Sequence, residues 1–121
     1  MSKFKVLFVD DEEELVSTLV ERLKYRDIAG AYELNGASAI ERLRREKFDI
    51  VIIDLKLPGI SGAETTRVVK QEHPELPILL ITGHGSPLET EEIPKGIEDI
   101  LPKPIKLDTL VEKIQTVLRQ E

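Results

Sequence analysis

Two short, largely apolar runs in the sequence end abruptly on aspartate. Residues 4–9 stop at Asp10 and Asp11, and residues 48–53 stop at Asp54. Runs of this length and composition are typical of strands that are buried on both faces, as in a parallel sheet covered by helices. If the two strands are neighbours, three carboxylates converge at one edge of the sheet, and a positive charge is needed there to offset their repulsion.

Strand patterns and helical patterns alternate along the chain. Five apolar runs are predicted as strands, at residues 4–9, 28–34, 48–53, 77–81 and 99–101. Five segments between and after them are predicted as helices, which begin near Glu13, Asn35, Ser61, Ser86 and Leu107. Such alternation implies right-handed crossovers and a doubly wound α/β fold, with one parallel sheet and helices on both faces. No linker or repeat interrupts the pattern, so residues 1–121 are predicted to form one domain.

The sequence also indicates where some helices begin and which side of the first helix faces the sheet. Leu15, Leu19 and Leu23 recur every four residues beside Val16 and Val20, and together they predict one apolar stripe on the first helix. Asn35 is predicted to cap the second helix. Ser61, with a glutamate three residues later, matches a capping box for the third.

The composition of the chain limits the kinds of partner it can bind and the kinds of chemistry it can perform. The formal net charge of −6 gives no general attraction for a polyanion, so direct nucleic-acid binding is not expected. The chain contains no cysteine, which excludes disulfides and thiolate chemistry and fits a cytoplasmic location. The N-terminal run lacks the pattern of a signal peptide, and no apolar stretch approaches the ~20 residues of a membrane-spanning helix, so no membrane association is expected.

The polar residues of interest all follow predicted strands. In a doubly wound sheet the functional site lies outside the carboxyl ends of the strands, where the strand order reverses. Asp10 and Asp11 follow the first strand, Asp54 the third, Thr82 the fourth and Lys103 the fifth. A carboxylate-rich site with oxygen ligands suits a hard divalent cation, so we predict that Mg²⁺ binds there.

These residue types support phosphoryl transfer. The Asp54 carboxylate can attack phosphorus to form an acyl phosphate, while a metal ion and the Lys103 ammonium offset charge on the transferring oxygens. The Thr82 hydroxyl can donate a hydrogen bond to the new phosphoryl oxygens, which links modification to movement of the loop that follows. The sequence therefore predicts a switch controlled by phosphorylation.

Four motifs in this order resemble the receiver domains of bacterial response regulators, the two-component family that includes chemotaxis response regulators. They are residues 6–12, residues 49–54 with Leu57, Pro58, Gly59 and Gly62, residues 80–82, and residues 101–104. The resemblance covers essentially the whole chain and implies a flavodoxin-like fold with strand order 2-1-3-4-5. It also implies phosphorylation by a sensor histidine kinase or a phosphotransfer protein. The output would be binding to a downstream protein target, and catalysis would be limited to the domain's own phosphorylation and dephosphorylation.

The resemblance assigns a role to each site residue. The implied metal ligands are Asp10, Asp11, Asp54 and the backbone carbonyl of Lys56. Of these, Asp11 should bind Mg²⁺ directly and Asp10 partly through water. Thr82 should act in the switch, and Lys103 should pair with the phosphoryl group.

Two features depart from the family pattern. Ile100 stands three residues before Lys103, where receivers usually carry a tyrosine or phenylalanine whose ring turns inward when the threonine moves. Pro87 and Pro94 fall in the fourth helical segment, residues 86–96, which is therefore predicted to be short or irregular. That surface often mediates dimerisation or partner docking in the family, so a homodimer stays open as an assembly state.

Two other functions stay open at this point. A receiver-like interaction module that signals independently of phosphorylation is favoured by Ile100 and the proline-bearing segment, and disfavoured by the retained aspartates, threonine and lysine. A flavodoxin-like cofactor binder is a third hypothesis, because the same fold hosts flavin. Against it, the loops lack the glycine-, serine- and aromatic-rich character expected around a flavin.

Overall fold

A computed structural model describes residues 4–83 and 93–119, which contain a five-stranded parallel sheet. The strands are β1 (Phe4–Val9), β2 (Ile28–Glu33), β3 (Ile50–Asp54), β4 (Ile78–Thr82) and β5 (Asp99–Pro102). Their order in the sheet is β2-β1-β3-β4-β5, which confirms the predicted flavodoxin-like topology. The register pairs Val9 at the end of β1 with Ile53, the residue before Asp54.

Four α-helices lie within the described residues. They are α1 (Glu13–Leu23), α2 (Gly36–Arg45), α3 (Gly62–Glu72) and α4 (Leu107–Leu118). The predicted fourth helical segment, residues 86–96, falls mostly outside the described residues, and the chain from residue 93 to β5 is a loop. Within the described ranges, no helix has the length and apolar character needed to cross a membrane.

Alternating side chains of the strands build an apolar core on each face of the sheet. In β1, Val6 and Phe8 belong to the cluster covered by α1 and α4, whereas Leu7 and Val9 belong to the cluster covered by α2 and α3. Strand β3 contributes to both clusters and is buried along its whole length. Close packing on both faces therefore fixes the end of β3, where Asp54 lies.

The helix caps agree with the sequence. Asn35 Oδ1 accepts a hydrogen bond from the Ser38 N–H at 2.8 Å at the start of α2. Ser61 Oγ accepts one from the Glu64 N–H at 3.0 Å at the start of α3. Each cap satisfies a backbone donor that the first turn of a helix leaves without a partner.

The apolar stripe of α1 differs from the prediction. Leu19 and Leu23 are buried together with Val16, but the Leu15 side chain is 38% exposed. A spacing of four residues advances about 40° beyond a full turn of an α-helix, so the leucines drift around its surface. Leu15 therefore lies beyond the edge of the buried face, whereas Val16 is buried as predicted.

Candidate functional site

The carboxyl ends of the strands bring the predicted polar residues to one edge of the sheet. Asp10 follows β1, Asp54 ends β3, Thr82 ends β4 and Lys103 follows β5. Because β1 and β3 are neighbours, Asp10 and Asp54 lie close together, and both are nearly buried, with exposed fractions of 4% and 3%. Two acidic groups are thus held side by side with little access to solvent.

The Asp54 carboxylate is held through both of its oxygens. Oδ1 accepts a hydrogen bond from the Lys56 N–H at 3.0 Å, and Oδ2 lies 2.8 Å from Lys103 Nζ. The main chain behind it is fixed as well, because the Leu55 N–H donates to the Ile81 carbonyl of β4 at 2.9 Å. The carboxylate therefore has one orientation, with Oδ2 turned towards the ammonium.

Lys103 supplies positive charge to the cluster. Its Nζ lies 2.5 Å from Glu12 Oε1, 2.8 Å from Asp54 Oδ2 and 3.5 Å from Asp10 Oδ2. Burial alone lowers the pKa of this ammonium, but the hydrogen bonds to Asp54 and Glu12 outweigh burial and raise the pKa above its ordinary value. Lys103 therefore stays charged at neutral pH and offsets the repulsion among the carboxylates.

Asp10 is the second buried carboxylate of the cluster. Its Oδ1 accepts a hydrogen bond from the Glu12 N–H at 2.9 Å, and its Oδ2 faces Lys103. Burial raises the pKa of the Asp10 carboxyl, and the hydrogen bond from Glu12 and the charge of Lys103 oppose this rise only in part. A further cation beside Asp10 would favour its ionised form.

Glu12 is a member of the cluster that the sequence did not single out. It belongs to an acidic run, residues 10–14, and acidic side chains are favourable at the N-terminus of a helix. From the sequence, Glu12 is therefore expected to be a solvated residue where the first helix begins. Its contact is with Lys103, a residue 91 positions later in the chain. Only the folded arrangement of β1 and β5 reveals that contact.

The cluster opens into a cavity of about 550 Å³ at the same edge of the sheet. Asp11, Lys56 and Gly83 line this cavity together with Lys103. Asp11 is exposed there, and it is not one of the three clustered carboxylates, which are Asp10, Glu12 and Asp54. Thr82 lies just before Gly83, and its carbonyl accepts a hydrogen bond from the Lys103 N–H at 2.8 Å. All the predicted site residues therefore lie in or next to one open cleft.

The oxygen donors of the cluster suit a small, hard cation. One carboxylate oxygen from each of Asp10, Glu12 and Asp54 lies within 4.8 Å of the other two. Mg²⁺ typically binds to one or two carboxylates and keeps several waters, which the open cavity can accommodate. The carboxyl group of Asp11 borders the same cavity. The residues present therefore fit the predicted ion.

Ile100 contributes apolar packing beneath this edge of the sheet. It pairs with Leu80 across β4 and β5, is half-buried, and packs against the cluster covered by α2 and α3. A β-branched side chain is stiff about χ1, so this position has no ring to turn between two orientations.

Sequence comparison places the chain among known signalling proteins. The family described as "Response regulator receiver domain" matches residues 6–115. The chain is 36% identical over 121 residues to the response regulator protein PilR of Pseudomonas aeruginosa, covering 98% of this chain and 27% of PilR. It is 32% identical over 117 residues to the transcriptional regulatory protein CpxR of Escherichia coli K12, covering 96% of this chain and 50% of CpxR. The chain thus spans half the length or less of these two relatives.

Solved structures of similar proteins share the fold. The signal receiver domain of a putative Luxo repressor protein from Vibrio parahaemolyticus is 30% identical with a TM-score of 0.83, covering 96% of this chain and 90% of that one. The chemotaxis response regulator CheY4 of Vibrio cholerae is 28% identical with a TM-score of 0.83, covering 95% and 98%. The family match spans the acidic cluster and Lys103. The chain therefore belongs to the response regulator receiver domain family, whose members are signalling domains of two-component systems.

Proposed function

We propose that this domain accepts a phosphoryl group on Asp54, with Mg²⁺ as cofactor, from a sensor histidine kinase or a phosphotransfer protein. The observation that carries the proposal is the position of Asp54 Oδ2, 2.8 Å from Lys103 Nζ at the end of a fully buried strand. A fixed carboxylate beside an ammonium, at the edge of an open cavity, is well placed to attack phosphorus and to share the charge that develops.

The proposed transfer moves one phosphoryl group between two nucleophiles. A carboxylate oxygen of Asp54 attacks the phosphorus of a phosphohistidine, and as the new O–P bond forms, the N–P bond breaks and the imidazole leaves with its electron pair. The products are an acyl phosphate on Asp54 and a free histidine on the donor. The Lys103 ammonium then pairs with the phosphoryl oxygens, which carry more negative charge than the carboxylate it contacted before.

Four groups are proposed as ligands of Mg²⁺, namely Asp10, Asp11, Asp54 and the backbone carbonyl of Lys56. Asp11 is proposed to bind directly and Asp10 partly through water. The oxygen atoms of the buried aspartates within 4.8 Å of each other support this assignment, as does the location of Asp11 and Lys56 on the cavity wall. When bound, the ion supplies charge neutralisation to the carboxylates and to the transferring oxygens.

The proposed output is a change in a protein-binding surface that a downstream protein recognises in the cytoplasm. Thr82 is proposed to donate its hydroxyl to the phosphoryl group, so that the chain after β4 moves. Because Ile100 has no ring to turn, this movement would alter apolar packing beside β5. A homodimer contact through residues 86–96 stays a prediction, since residues 84–92 lie outside the described part of the chain.

An interaction module that works without phosphorylation is the second candidate. Ile100 favours it, because the position that turns in related domains holds a half-buried aliphatic side chain that packs against the core. The contact between Asp54 and Lys103 disfavours it, because a buried ion pair is costly to maintain without a use for its charges. The two candidate functions differ in whether Asp54 becomes phosphorylated.

Intact-mass analysis after incubation with acetyl phosphate tests the proposal. The wild-type protein should gain one phosphoryl group in the presence of Mg²⁺, and the gain should disappear with EDTA and in Asp54→Asn. Asp49→Asn is the matched control, because Asp49 immediately precedes the first residue of β3 and so lies at the far end of the strand from Asp54. Its carboxylate accepts a hydrogen bond from the Lys5 N–H. This variant should be phosphorylated normally. Phosphorylation of Asp54→Asn would contradict the assignment, and an unmodified wild-type protein would favour the second candidate.

A further inference from the structure

Glu12 contacts Lys103 but has no role in the phosphorylation chemistry proposed above. Its side chain is 57% exposed, whereas that of Lys103 is only 18% exposed. An exposed carboxylate is well solvated and gains little from an ammonium partner. A lysine that is largely buried among acidic groups depends on its partners much more. The 2.5 Å contact therefore constrains the position of Lys103 more than that of Glu12.

Lys103 covers the carboxylate oxygens that a metal ion needs. Asp10 Oδ1 is bonded to the Glu12 N–H, and Asp54 Oδ1 is bonded to the Lys56 N–H. The other oxygen of each aspartate, Oδ2, faces Lys103 Nζ, at 3.5 Å for Asp10 and 2.8 Å for Asp54. A divalent cation held by these two oxygens, with Asp10 bound partly through water, meets the ammonium in the same space, and the two positive charges repel each other. Lys103 must therefore withdraw as the cation binds.

We propose that Glu12 is a positioning residue that retains Lys103 at the rim of the site when a divalent cation binds to Asp10 and Asp54. The inference rests on the proposed function and adds how the lysine and the metal exchange places. Because Glu12 lies on the solvent side of Lys103, the ammonium can move outward and keep a carboxylate partner. The Glu12 N–H also donates a hydrogen bond to Asp10. Glu12, which would retain Lys103, is therefore connected to one of the two carboxylates from which Lys103 would withdraw.

The two side chains should act in opposite directions on Mg²⁺ affinity. Lys103→Met removes the competing charge, so Mg²⁺ should bind more tightly. Glu12→Gln removes the outer partner, so Lys103 stays on the inner oxygens and Mg²⁺ should bind about fivefold more weakly, in line with coupling between contacting charged groups. In the Lys103→Met background, Glu12→Gln should change the affinity by less than about twofold, because no ammonium remains to be positioned.

Titration of Mg²⁺ into nitrogen-15-labelled protein, followed through the amide resonances of Glu12 and Lys56, measures the affinity without phosphorylation. These two N–H groups are bonded to the buried aspartates, so their resonances should report metal binding directly. Glu14→Gln is the control, because it removes one negative charge two residues away from Glu12, in the first turn of α1. Within the described residues, Glu14 makes no ion pair with Lys103. The affinity of this control should stay within about twofold of wild type.

Each outcome of the titration has a distinct meaning. If the Glu12→Gln loss persists undiminished in the Lys103→Met background, Glu12 is a direct ligand or a simple source of charge, and the proposal is overturned while the proposed function stands. An equal loss in Glu14→Gln overturns it in the same way. If the wild-type protein does not bind Mg²⁺ at all, the magnesium-dependent function fails together with this inference.

Discussion

Gly62 lies directly against the main chain of the proposed phosphoacceptor. A Cβ atom at this position would be 2.1 Å from the Asp54 carbonyl oxygen and 2.5 Å from Leu55 Cα. The Gly62 N–H also donates to the Leu55 carbonyl at 3.0 Å. The first residue of α3 and the end of β3 are therefore in contact through backbone atoms, an approach that only glycine permits.

Gly62→Ala should destabilise the fold, because the added methyl group forces the two main chains apart. We expect a loss of about 2 kcal/mol or more in the free energy of unfolding, measured by urea denaturation. Gly83→Ala is the control, since its Cβ would meet nothing closer than Lys103 Cδ at 3.7 Å, and no loss is expected. A wild-type unfolding midpoint in Gly62→Ala would show that this close approach is not needed.

The residues at strand ends could be predicted from the sequence, but the contacts among them could not. Apolar runs that stop on a polar residue are visible in the chain, and they identify Asp10 and Asp54 as strand-end residues. The role of Glu12 depends on the direction of an exposed side chain and on a partner far away in the sequence. Local patterns contain neither kind of information.

Helix α1 shows the difference between a sequence stripe and a buried face. Leu23 is fully buried, while Leu15 is 38% exposed. Leu23→Ala should therefore lower the free energy of unfolding by about 2–5 kcal/mol through lost burial and a cavity, and Leu15→Ala by less than about 1 kcal/mol. Urea denaturation of the two variants measures the difference. Equal losses would mean that the side of α1 carrying Leu15 is also covered.

Most element positions could be predicted because each strand or helix has its own local pattern. The runs that became β1, β3 and β4 are short and almost wholly apolar, and the caps at Asn35 and Ser61 mark two helix starts. The order of the strands in the sheet is not a local property, and it came from the family resemblance. The exposure of Leu15 could not be predicted, because residue spacing alone does not fix how far the buried face extends around the helix.

Ion pairs connect strand β1 with the C-terminal end of helix α2. Glu46 pairs with Lys5 of β1 at 2.7 Å and with Arg42 of α2 at 3.0 Å. Hydrogen bonds from Lys5 and then from Arg42 hold the pKa of the Glu46 carboxyl below its ordinary value of 4.5. Since the folded protein binds this proton less readily than the unfolded chain, Glu46 stabilises the fold above pH 4.5, and this stabilisation is lost as the pH falls through the lowered pKa.

Glu46→Gln should therefore flatten the acid limb of the stability profile. Between about pH 6 and about pH 3, the variant should lose less unfolding free energy than the wild-type protein, because it lacks one carboxylate that must be protonated. Glu75→Gln is the control, since Glu75 is exposed and makes no ion pair within the described residues, and its profile should follow wild type. Thermal unfolding across this pH range gives the comparison, and parallel profiles for all three proteins would contradict the role of Glu46.

The hydrogen bond from the Lys103 N–H to the Thr82 carbonyl connects the ends of β4 and β5 beside the site. At the end of β3, the first residue of α3 packs against the main chain of Asp54, which leaves no room for a side chain at Gly62. Because the ends of β4 and β5 are connected through main-chain atoms, a displacement of the Lys103 backbone would also displace Thr82. Phosphorylation of Asp54, as proposed above, would then displace the two strand ends together, and Ile100, three residues before Lys103, would move with them.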